Sequence, residues 1–388
     1  MRRINILHIA STLNPKYGGP VEGLKILNVA YKKFNISLNV LTLDSKKSLW
    51  LKDKLLPKTF AIGPSYFNYK LNFKIWSWLK KNVHRYDFVI IDGVWQFHGL
   101  IMWLYSIKFD KPYFVLTHGM LDPWFKKYYF FKHLKKLIYW KLFENKILKK
   151  AKAVLFTSKK EKELASIPYR PFSINSEIIN HGVVKKNYNQ TILKKTFDKL
   201  LKNNKEKKII LFLSRIHKKK GCDILIKSFA KSFKNNKNVI LVIAGNDKNK
   251  YAVQLKKLAS NLKLQNIIWT GFVNDIQKWS LLSYSNISCF PSHSENFGTS
   301  IVESLSCGTP VIISNKINIY EIIYKYQAGF VGNNNVKDTT INLIKWHTLS
   351  SNKKKKLKQN AKKCFESNFN LNIIGKTFRE TFEKYIVN

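Results

Sequence analysis

Acidic side chains are scarce in this chain of 388 residues, where 23 Asp and Glu stand against 69 Lys and Arg and the formal net charge is +46. Such an excess favours attraction to a polyanion, either an anionic membrane or a nucleic acid. Arginine is also scarce, with six of the 69 basic residues, and this disfavours readout of bases by guanidinium forks. Because Lys, Asn, Ile, Phe and Tyr are all abundant, codon usage in an AT-rich genome is a second explanation of the charge.

Cysteine is rare as well, and its four positions form no C-x-x-C pair and no zinc-ligand spacing: Cys222, Cys289, Cys307 and Cys364. We therefore expect free thiols in a reducing cytoplasm. The first apolar stretch is too short for a signal peptide and predicts a strand instead. Neither a G-x-G-x-x-G nor a Walker phosphate loop occurs.

One apolar stretch, Phe88 to Ile107, approaches the length of a membrane span. Polar residues and a glycine interrupt it at Asp92, Gly93, Gln96 and His98. The stretch therefore predicts a strand, a loop and a helix, and not a transmembrane span.

The remaining sequence alternates short apolar runs with stretches of helical periodicity, which is the βαβ pattern of parallel sheets. Hydrophobic residues make up 45% of the chain, which suits a globular enzyme of two to three domains. Helices are expected over Glu22–Lys33 and Phe73–Asn82. The predicted strands are Ile4–Ala10, Leu38–Leu43, Phe88–Ile91, Tyr113–Thr117, Ala153–Thr157, Ile209–Leu213, Val239–Ala244, Ile267–Thr270, Ile287–Phe290 and Pro310–Ile313.

The pattern restarts at Lys208 after a polar, Asn-rich stretch, which predicts two Rossmann-like parallel-sheet α/β domains facing across a cleft. We expect an N-terminal domain over 1–188, a linker over 189–204 and a C-terminal domain over 205–369. The last segment, 370–388, is an amphipathic helix. Ligands of such open sheets bind at the carboxyl ends of the strands.

The most specific pattern lies in residues 291–312, where Glu295 and Glu303 flank a predicted turn from a strand into a helix. A helix beginning near Thr299, capped by Thr299 or Ser300, would present free N–H groups to a diphosphate. Gly298 would let the backbone approach a ligand closely. Glu303 would then accept hydrogen bonds from ribose, and Glu295 would stand where a sugar ring lies.

A second pattern, residues 214–221, places Arg215 directly after a strand and Lys220 just before Gly221. Cations fixed there would neutralise the diphosphate that the predicted helix start suits. Lys218 and Lys219 are interpreted as bystanders. In so basic a chain, a solvated basic turn is the alternative interpretation.

Two further loops follow predicted strands of the first half. Gly18 and Gly19 would let backbone N–H groups face a ligand, although a simple turn is the alternative. His118, in residues 116–124, follows a buried strand and would enter the strand-end crevice. A purely structural histidine is the alternative.

Taken together, these motifs resemble the retaining glycosyltransferase family four, with its E-x(7)-E signature and its GT-B fold. The resemblance spans nearly the whole chain at spaced motifs and is strongest from Phe290 to Ile312. It implies that the N-terminal domain, 1–188, binds the acceptor and that the C-terminal domain, 205–369, binds the nucleotide sugar. It also implies that the final helix crosses back to the first domain and that His118 lies by the donor sugar and the acceptor hydroxyl. It also implies a donor site formed by Gly18, Gly19, Arg215, Lys220, Asn246, Gly271, Phe272, Glu295, Asn296, Phe297, Gly298, Thr299 and Glu303.

The chain lacks the D-x-D motif with which GT-A transferases bind a metal. We therefore expect no essential metal and no cofactor besides the nucleotide diphosphate sugar, which is a co-substrate. The expected reaction is front-face displacement with retention, in which Glu295 orients the sugar without becoming a covalent nucleophile. The expected acceptor is a glycan or a polyprenyl-diphosphate-linked oligosaccharide of bacterial lipopolysaccharide, capsule or exopolysaccharide assembly.

The segment from Trp124 to Lys150 contains nine lysines among many aromatic residues. If helical, it suits an anionic membrane surface and predicts a cytoplasmic protein, peripheral on the inner face of the membrane. The alternative is an ordinary amphipathic helix whose aromatic residues face the core.

Three other classes of protein remain as alternatives. An epimerase of sugar nucleotides would share the diphosphate site and convert the donor without an acceptor. A nucleic-acid-binding protein would explain the charge, but no RNA-recognition, KH or zinc-finger pattern occurs, so no nucleic acid is expected as a partner. A non-catalytic scaffold disagrees with the joint presence of Arg215, Lys220, Glu295 and Glu303.

Overall fold

A computed structural model describes residues 2–123, 130–204 and 206–386. The chain divides into two compact units, of which the first comprises Met1–Gly182 with Leu371–Asn388 and the second Val183–Asn370. Each unit is built on one all-parallel sheet, which confirms the predicted class of two parallel-sheet α/β domains. Within the described residues, no helix is both long enough and apolar enough to cross a membrane.

The first unit has seven strands in the order β3-β2-β1-β4-β5-β6-β7. The order reverses beside β1, so the switch point of this sheet lies between β1 and β4. Two strands were not predicted, β3 and β7, because they are short and only partly buried. The bounds are β1 Ile4–Ala10, β2 Ile36–Thr42, β3 Lys58–Ala61, β4 Phe88–Asp92, β5 Tyr113–Leu116, β6 Ala153–Phe156 and β7 Ser176–Ile178.

Helices connect these strands as the βαβ pattern requires. The apolar stretch that begins at Phe88 divides into β4 and a helix from Phe97, as predicted. The bounds are α1 Gly19–Lys32, α2 Lys74–Asn82, α3 Phe97–Phe109, α4 Phe130–Tyr139, α5 Asn145–Lys150 and α6 Lys159–Ala165, and a π-helical turn, Trp140–Glu144, joins α4 to α5. Residues 124–129 of the predicted basic segment lie outside the described residues.

The second unit has six strands in the order β10-β9-β8-β11-β12-β13. The last strand was not predicted, because it is short, only half-buried and bounded by two glycines. The strands are β8 Lys208–Leu213, β9 Val239–Ala244, β10 Ile267–Gly271, β11 Ile287–Phe290, β12 Val311–Ser314 and β13 Gly329–Gly332. The helices are α7 Gln190–Leu201, α8 Cys222–Phe233, α9 Lys250–Asn261, α10 Asp275–Tyr284, α11 Thr299–Ser306, α12 Tyr320–Lys325, α13 Val336–Thr348 and α14 Ser351–Asn368.

The predicted linker, 189–204, is instead largely the helix α7. Leu193, Phe197 and Leu201 recur at helical spacing and are buried, so the segment packs into the core of the second unit. The Ser280 hydroxyl of α10 donates a hydrogen bond to the Leu193 carbonyl at 2.6 Å. The polar composition that indicated a linker is therefore the solvent face of an amphipathic helix.

The final helix, α15 (Leu371–Glu383), packs on α1 of the first unit. The rings of Tyr31 and Phe378 meet edge to face with centroids 5.2 Å apart. Arg379 is buried and donates a hydrogen bond from Nη1 to the Arg2 carbonyl at 2.8 Å. This contact ties the end of the chain to its beginning.

Candidate active site

Two loops at the carboxyl edge of the second sheet lock together and position Lys220. Lys220 ends a 3-10 turn after β8, and Gly221 follows it with φ +66°. A Cβ at Gly221 would lie 2.1 Å from the Pro291 carbonyl oxygen, so only glycine fits beside the loop after β11. The His293 N–H also donates to the Lys219 carbonyl at 2.8 Å. These contacts hold the loop that carries Lys220 against the loop that carries Glu295.

The Lys220 ammonium and the Glu295 carboxylate form an ion pair. Their side chains are 15% and 21% exposed, so the pair lies at the surface of the unit but is partly shielded from water. The Glu295 backbone is fixed independently, because its N–H donates to the Lys316 carbonyl at 3.1 Å and its carbonyl accepts from the Asn318 N–H at 3.0 Å. Glu295 is therefore fixed both at its backbone and at its carboxylate.

Arg215, which also follows β8, is exposed and forms no ion pair with any carboxylate in the described part of the chain. Of the two cations predicted to bind the donor, Lys220 is thus paired with Glu295, and Arg215 has no carboxylate partner among the described residues. An arginine in this state is able to bind a phosphate through two N–H groups at once.

The helix α11 begins beside these cations. Its N-cap is Gly298 in the left-handed region at φ +75°, where a Cβ would lie 2.6 Å from Cδ1 of Ile301. The predicted hydroxyl cap by Thr299 or Ser300 was wrong, because both residues lie inside the first turn and no described side chain caps the helix. Uncapped N–H groups and the positive end of the helix dipole favour an anion here.

The other residues of the signature divide between the site and the core. Glu303 is 8% exposed, and its Oε1 accepts from Lys278 Nζ at 2.6 Å. Asn296 accepts from the Asn318 side-chain amide at 3.0 Å. The Phe297 ring is buried against Phe369, with centroids 5.8 Å apart, so only its backbone is available to a ligand.

The loops after β9 and β10 also lie at the carboxyl edge of the second sheet, where the backbone at Gly245 closely approaches the loop after β8. A Cβ at Gly245 would lie 2.0 Å from the Ser214 carbonyl oxygen, and the Gly245 N–H donates to the Gly271 carbonyl at 2.9 Å. Asn246 follows, and its side-chain oxygen accepts from the Lys248 N–H at 3.1 Å. Gly271 takes φ +68°, and the Phe272 side chain after it is 78% exposed. The predicted donor residues of this unit therefore follow four neighbouring strands.

In the first unit, His118 follows β5 in the left-handed region at φ +49°. Its Nε2 lies 3.1 Å from Oδ1 of Asp92, the last residue of β4. His8 of β1 lies 2.7 Å from the other carboxylate oxygen through its Nδ1. One buried carboxylate thus bridges two imidazoles at the switch point of the sheet.

The charge state of this cluster follows from its surroundings. Burial alone would raise the pKa of Asp92, but the neighbouring His8 and His118 hold the pKa of this carboxyl well below its usual range. Burial lowers the pKa of His98 to about 4, and burial together with His118 lowers that of His181 to about 4. At pH 7 Asp92 is therefore ionised, whereas His98 and His181 are neutral.

A second buried carboxylate, Glu161, holds the His118 loop. One of its oxygens accepts from the Thr117 hydroxyl and the Gly119 N–H, both at 2.7 Å. The other accepts from the Thr157 hydroxyl at 2.7 Å and from the Thr157 N–H at 2.8 Å. Glu161 thereby fastens the residues on both sides of His118 to the end of β6.

The glycine pair lies at the start of α1. Gly18 takes φ +68°, and a Cβ at Gly18 or at Gly19 would have no heavy atom within 4 Å. A cavity of about 20 Å³, room for about one water, is lined by Gly23, Asp92, His118 and His181 among others. Within this unit, His118 therefore borders open space between α1 and the carboxyl ends of the strands.

Sequence reasoning missed the residues that hold the named ones in place: His8, Asp92, Glu161 and Lys278. Asp92 carried a detectable signal, since it follows a buried strand and begins a loop with a glycine and a histidine. The other contacts depend on pairs distant in sequence, which one sequence does not reveal.

Comparisons with known proteins agree with this geometry. Residues 193–364 match the family model of group 1 glycosyl transferases. The chain is 33% identical over 120 residues to an uncharacterized glycosyltransferase of Methanocaldococcus jannaschii, which is 30% of either chain. It is 23% identical over 194 residues to the capsular polysaccharide biosynthesis glycosyltransferase CapM of Staphylococcus aureus, which is 50% of either chain. The matches thus span from about a third to half of these curated relatives.

Solved structures match over the whole chain. A glycosyltransferase from Rickettsia africae superposes with a TM-score of 0.77, 22% identity and full coverage of both chains. Anabaena HepE, solved in complex with UDP and glucose, superposes with a TM-score of 0.75 and 16% identity over 98% of this chain and 100% of its own. The GT-B fold is therefore confirmed, and the residues that match the family model lie within the second unit.

Proposed function

We propose that the protein is a retaining glycosyltransferase that moves a sugar from a nucleoside diphosphate donor to an acceptor hydroxyl. The observation that carries this proposal is the Lys220–Glu295 ion pair beside the uncapped start of α11. A carboxylate suited to sugar hydroxyls thus stands next to groups suited to a diphosphate. The match of residues 193–364 to group 1 glycosyl transferases supports the same reaction class.

In this proposal the donor diphosphate binds the N–H groups after Gly298 together with Arg215 and Lys220. Glu303 accepts from the ribose hydroxyls; its ion pair with Lys278 leaves this role open, because a carboxylate has about four acceptor positions. The backbone around Gly271 and Phe272 lies beside the base. These groups neutralise the diphosphate without a metal, so we propose a metal-independent reaction.

The chemical step is a front-face displacement. The acceptor oxygen forms a bond to the anomeric carbon on the face from which the phosphate oxygen leaves, and the hydroxyl proton passes to that phosphate oxygen. Arg215 and Lys220 stabilise the negative charge that develops on the leaving group. Glu295 orients the sugar hydroxyls, and its pairing with Lys220 disfavours a role as a covalent nucleophile. His118, oriented by Asp92, contacts the sugar or the acceptor hydroxyl.

For the acceptor we propose a glycan or a lipid-linked oligosaccharide of a bacterial surface polysaccharide, reached at the inner face of the membrane. Two relatives support this direction by name, the capsular glycosyltransferase CapM and an alpha-monoglucosyldiacylglycerol synthase of Streptococcus pneumoniae. The helix α4 adds a physical reason, because Leu134 and Ile138 are 50% and 58% exposed on one face. Lys135 and Lys141 are exposed beside them, as an anionic interface requires.

Thermal unfolding with UDP-, GDP-, ADP- and TDP-sugars, with and without EDTA, tests the donor site. A donor at 100 times its dissociation constant should stabilise the fold by about 2.7 kcal/mol. We expect one nucleotide to stand out and EDTA to leave its effect unchanged. Absence of any shift would contradict the assigned site, and conversion of the donor without an acceptor would favour the epimerase.

A further inference from the structure

A turn in the first unit exposes three aromatic side chains to solvent. Tyr66, Phe67 and Phe73 are 62%, 80% and 75% exposed. The turn is closed by reciprocal hydrogen bonds between Tyr66 and Leu71, at 3.0 and 2.9 Å. Three exposed aromatic rings within eight residues of sequence make this turn a candidate interaction surface, because large exposed apolar patches in folded proteins often mark such surfaces.

The backbone of this turn is strained at its tip. Phe67 has φ +57° and Lys70 has φ +61°. A bulky residue in the left-handed region is an outlier, because its Cβ crowds the following carbonyl. An asparagine would adopt this conformation more easily, so Phe67 takes a backbone conformation that disagrees with its own preference.

The turn is fastened to the helix α4. Tyr69 lies between the exposed residues, and its hydroxyl forms a hydrogen bond with that of Tyr139 at the end of α4. The two rings meet edge to face with centroids 5.6 Å apart. The aromatic turn is therefore in direct contact with α4, the helix that exposes Leu134 and Ile138.

The sequence around the turn and along α4 is basic, and the carboxyl group near Tyr69 and Tyr139, that of Glu144, is buried. No acidic residue occurs between Asp53 and Asp87, and none occurs between Asp122 and Glu144. Lys74 beside the turn and Lys135 on α4 are both exposed. Exposed aromatic and aliphatic residues with lysines and without carboxylates match the interfacial region of an anionic bilayer.

We propose that the turn from Tyr66 to Phe73 is a membrane-inserting element that, with α4, docks the first unit on an anionic lipid surface. This inference rests on the membrane-peripheral function proposed above, and it adds a contact that the Trp124–Lys150 segment does not contain. Phe67 enters the headgroup–acyl boundary, and the surrounding lysines bind the lipid headgroups.

The test is flotation of the full chain with phosphatidylcholine vesicles that contain or lack phosphatidylglycerol. Phe67→Asn keeps a residue that tolerates the left-handed backbone, so it removes the ring without a folding penalty. We expect about tenfold weaker partitioning onto the anionic vesicles, since burial of one phenylalanine ring is lost. Tyr324→Asn is the matched control, because Tyr324 is 75% exposed on α12 of the second unit, and we expect no change.

A fluorescent reporter gives an independent readout of insertion. Phe67→Cys labelled with an environment-sensitive dye should shift to the blue on anionic vesicles and not with a soluble polyanion such as RNA. Unchanged flotation of Phe67→Asn, or a dye that stays in water, would overturn the proposal. So would a self-association of the chain that Phe67→Asn abolishes without vesicles, because the occupant would then be a second copy. Nucleotide-sugar stabilisation separates the two proposals. Its absence in the unmodified chain would refute the transferase and leave the membrane contact to the flotation result, whereas retained stabilisation in Phe67→Asn would show that a loss of flotation is not a loss of fold.

Discussion

Replacement of Asp92 by asparagine tests the proposed role of His118, because the amide keeps the shape of the carboxylate and removes its charge. The carboxylate contacts His8 and His118 with its two oxygens, whereas an amide has a single acceptor oxygen. One of the two imidazole N–H groups then faces an NH2 group. Because the surroundings lower the pKa of Asp92 overall, the charged form is the stabilised one. A hydrogen bond to a charged group contributes about 2 kcal/mol, so the free energy of unfolding should fall by roughly that amount.

Asp92→Asn should also lower the rate of the reaction, beyond its effect on the free energy of unfolding. If His118 acts on the acceptor or on the sugar, loss of its orientation lowers kcat by roughly 10²-fold and changes the pH dependence of kcat, while KM for the donor stays within about threefold. Release of nucleoside diphosphate with the donor identified by thermal shift is the assay. An unchanged kcat in a folded variant would refute the role of His118.

Glu161→Gln is the matched control for this experiment. Glu161 is also a buried carboxylate, but it accepts from hydroxyl and backbone N–H groups and from no imidazole. We expect a comparable or greater loss of stability, because four hydrogen bonds converge on it, and an unchanged pH dependence of kcat. If both variants altered the pH dependence alike, the effect of Asp92 would be structural.

Three further predictions concern single residues. Lys220→Met should lower kcat by roughly 10²–10³-fold, whereas Lys218→Met in the same turn should have little effect; equal losses would show that only the local charge matters. Gly221→Ala should unfold at lower temperature and lose nucleotide stabilisation, because its Cβ would lie 2.1 Å from the Pro291 carbonyl oxygen; retained binding would contradict the close approach. Burial raises the pKa of Glu144 to about 7 from 4.5, so the native state holds this proton where the unfolded chain has lost it. Stability should fall by about 3 kcal/mol as the pH rises through that interval, and Glu144→Gln should remove this slope in denaturant titrations at pH 5 and pH 8.

The sheet architecture was predictable because buried parallel strands are continuous apolar runs. The ten predicted strands are present with ends shifted by at most two residues. The three missed strands lie at or near sheet edges and are only partly buried. Partly buried strands lack the apolar signal, and neither the two glycines of β13 nor the polar residues of β7 supply it.

The 189–204 segment fails as a linker for a related reason. A helix that buries Leu193, Phe197 and Leu201 exposes the rest of its residues, and composition alone does not distinguish that pattern from a flexible connection. Periodicity does distinguish them, because the buried residues recur every four positions. The four-residue spacing of these apolar side chains was visible in the sequence, but the polar composition of the segment favoured a linker.

In the candidate site, too, neighbouring residues of one motif have different roles, and the sequence alone does not distinguish them. Within one short string, Glu295 reaches an ion pair, Phe297 enters the core and Gly298 begins a helix in a conformation that other residues rarely adopt. A motif therefore identifies where a site lies, but it combines residues that contact a ligand with residues that shape the loop. Substitution separates them: loss of Phe297 should lower the stability of the second unit by about 3–5 kcal/mol as for a buried phenylalanine, whereas Glu295→Gln should leave the fold intact and lower kcat. If Glu295→Gln lost stability and Phe297→Ala did not, the division between core and ligand contact would be reversed.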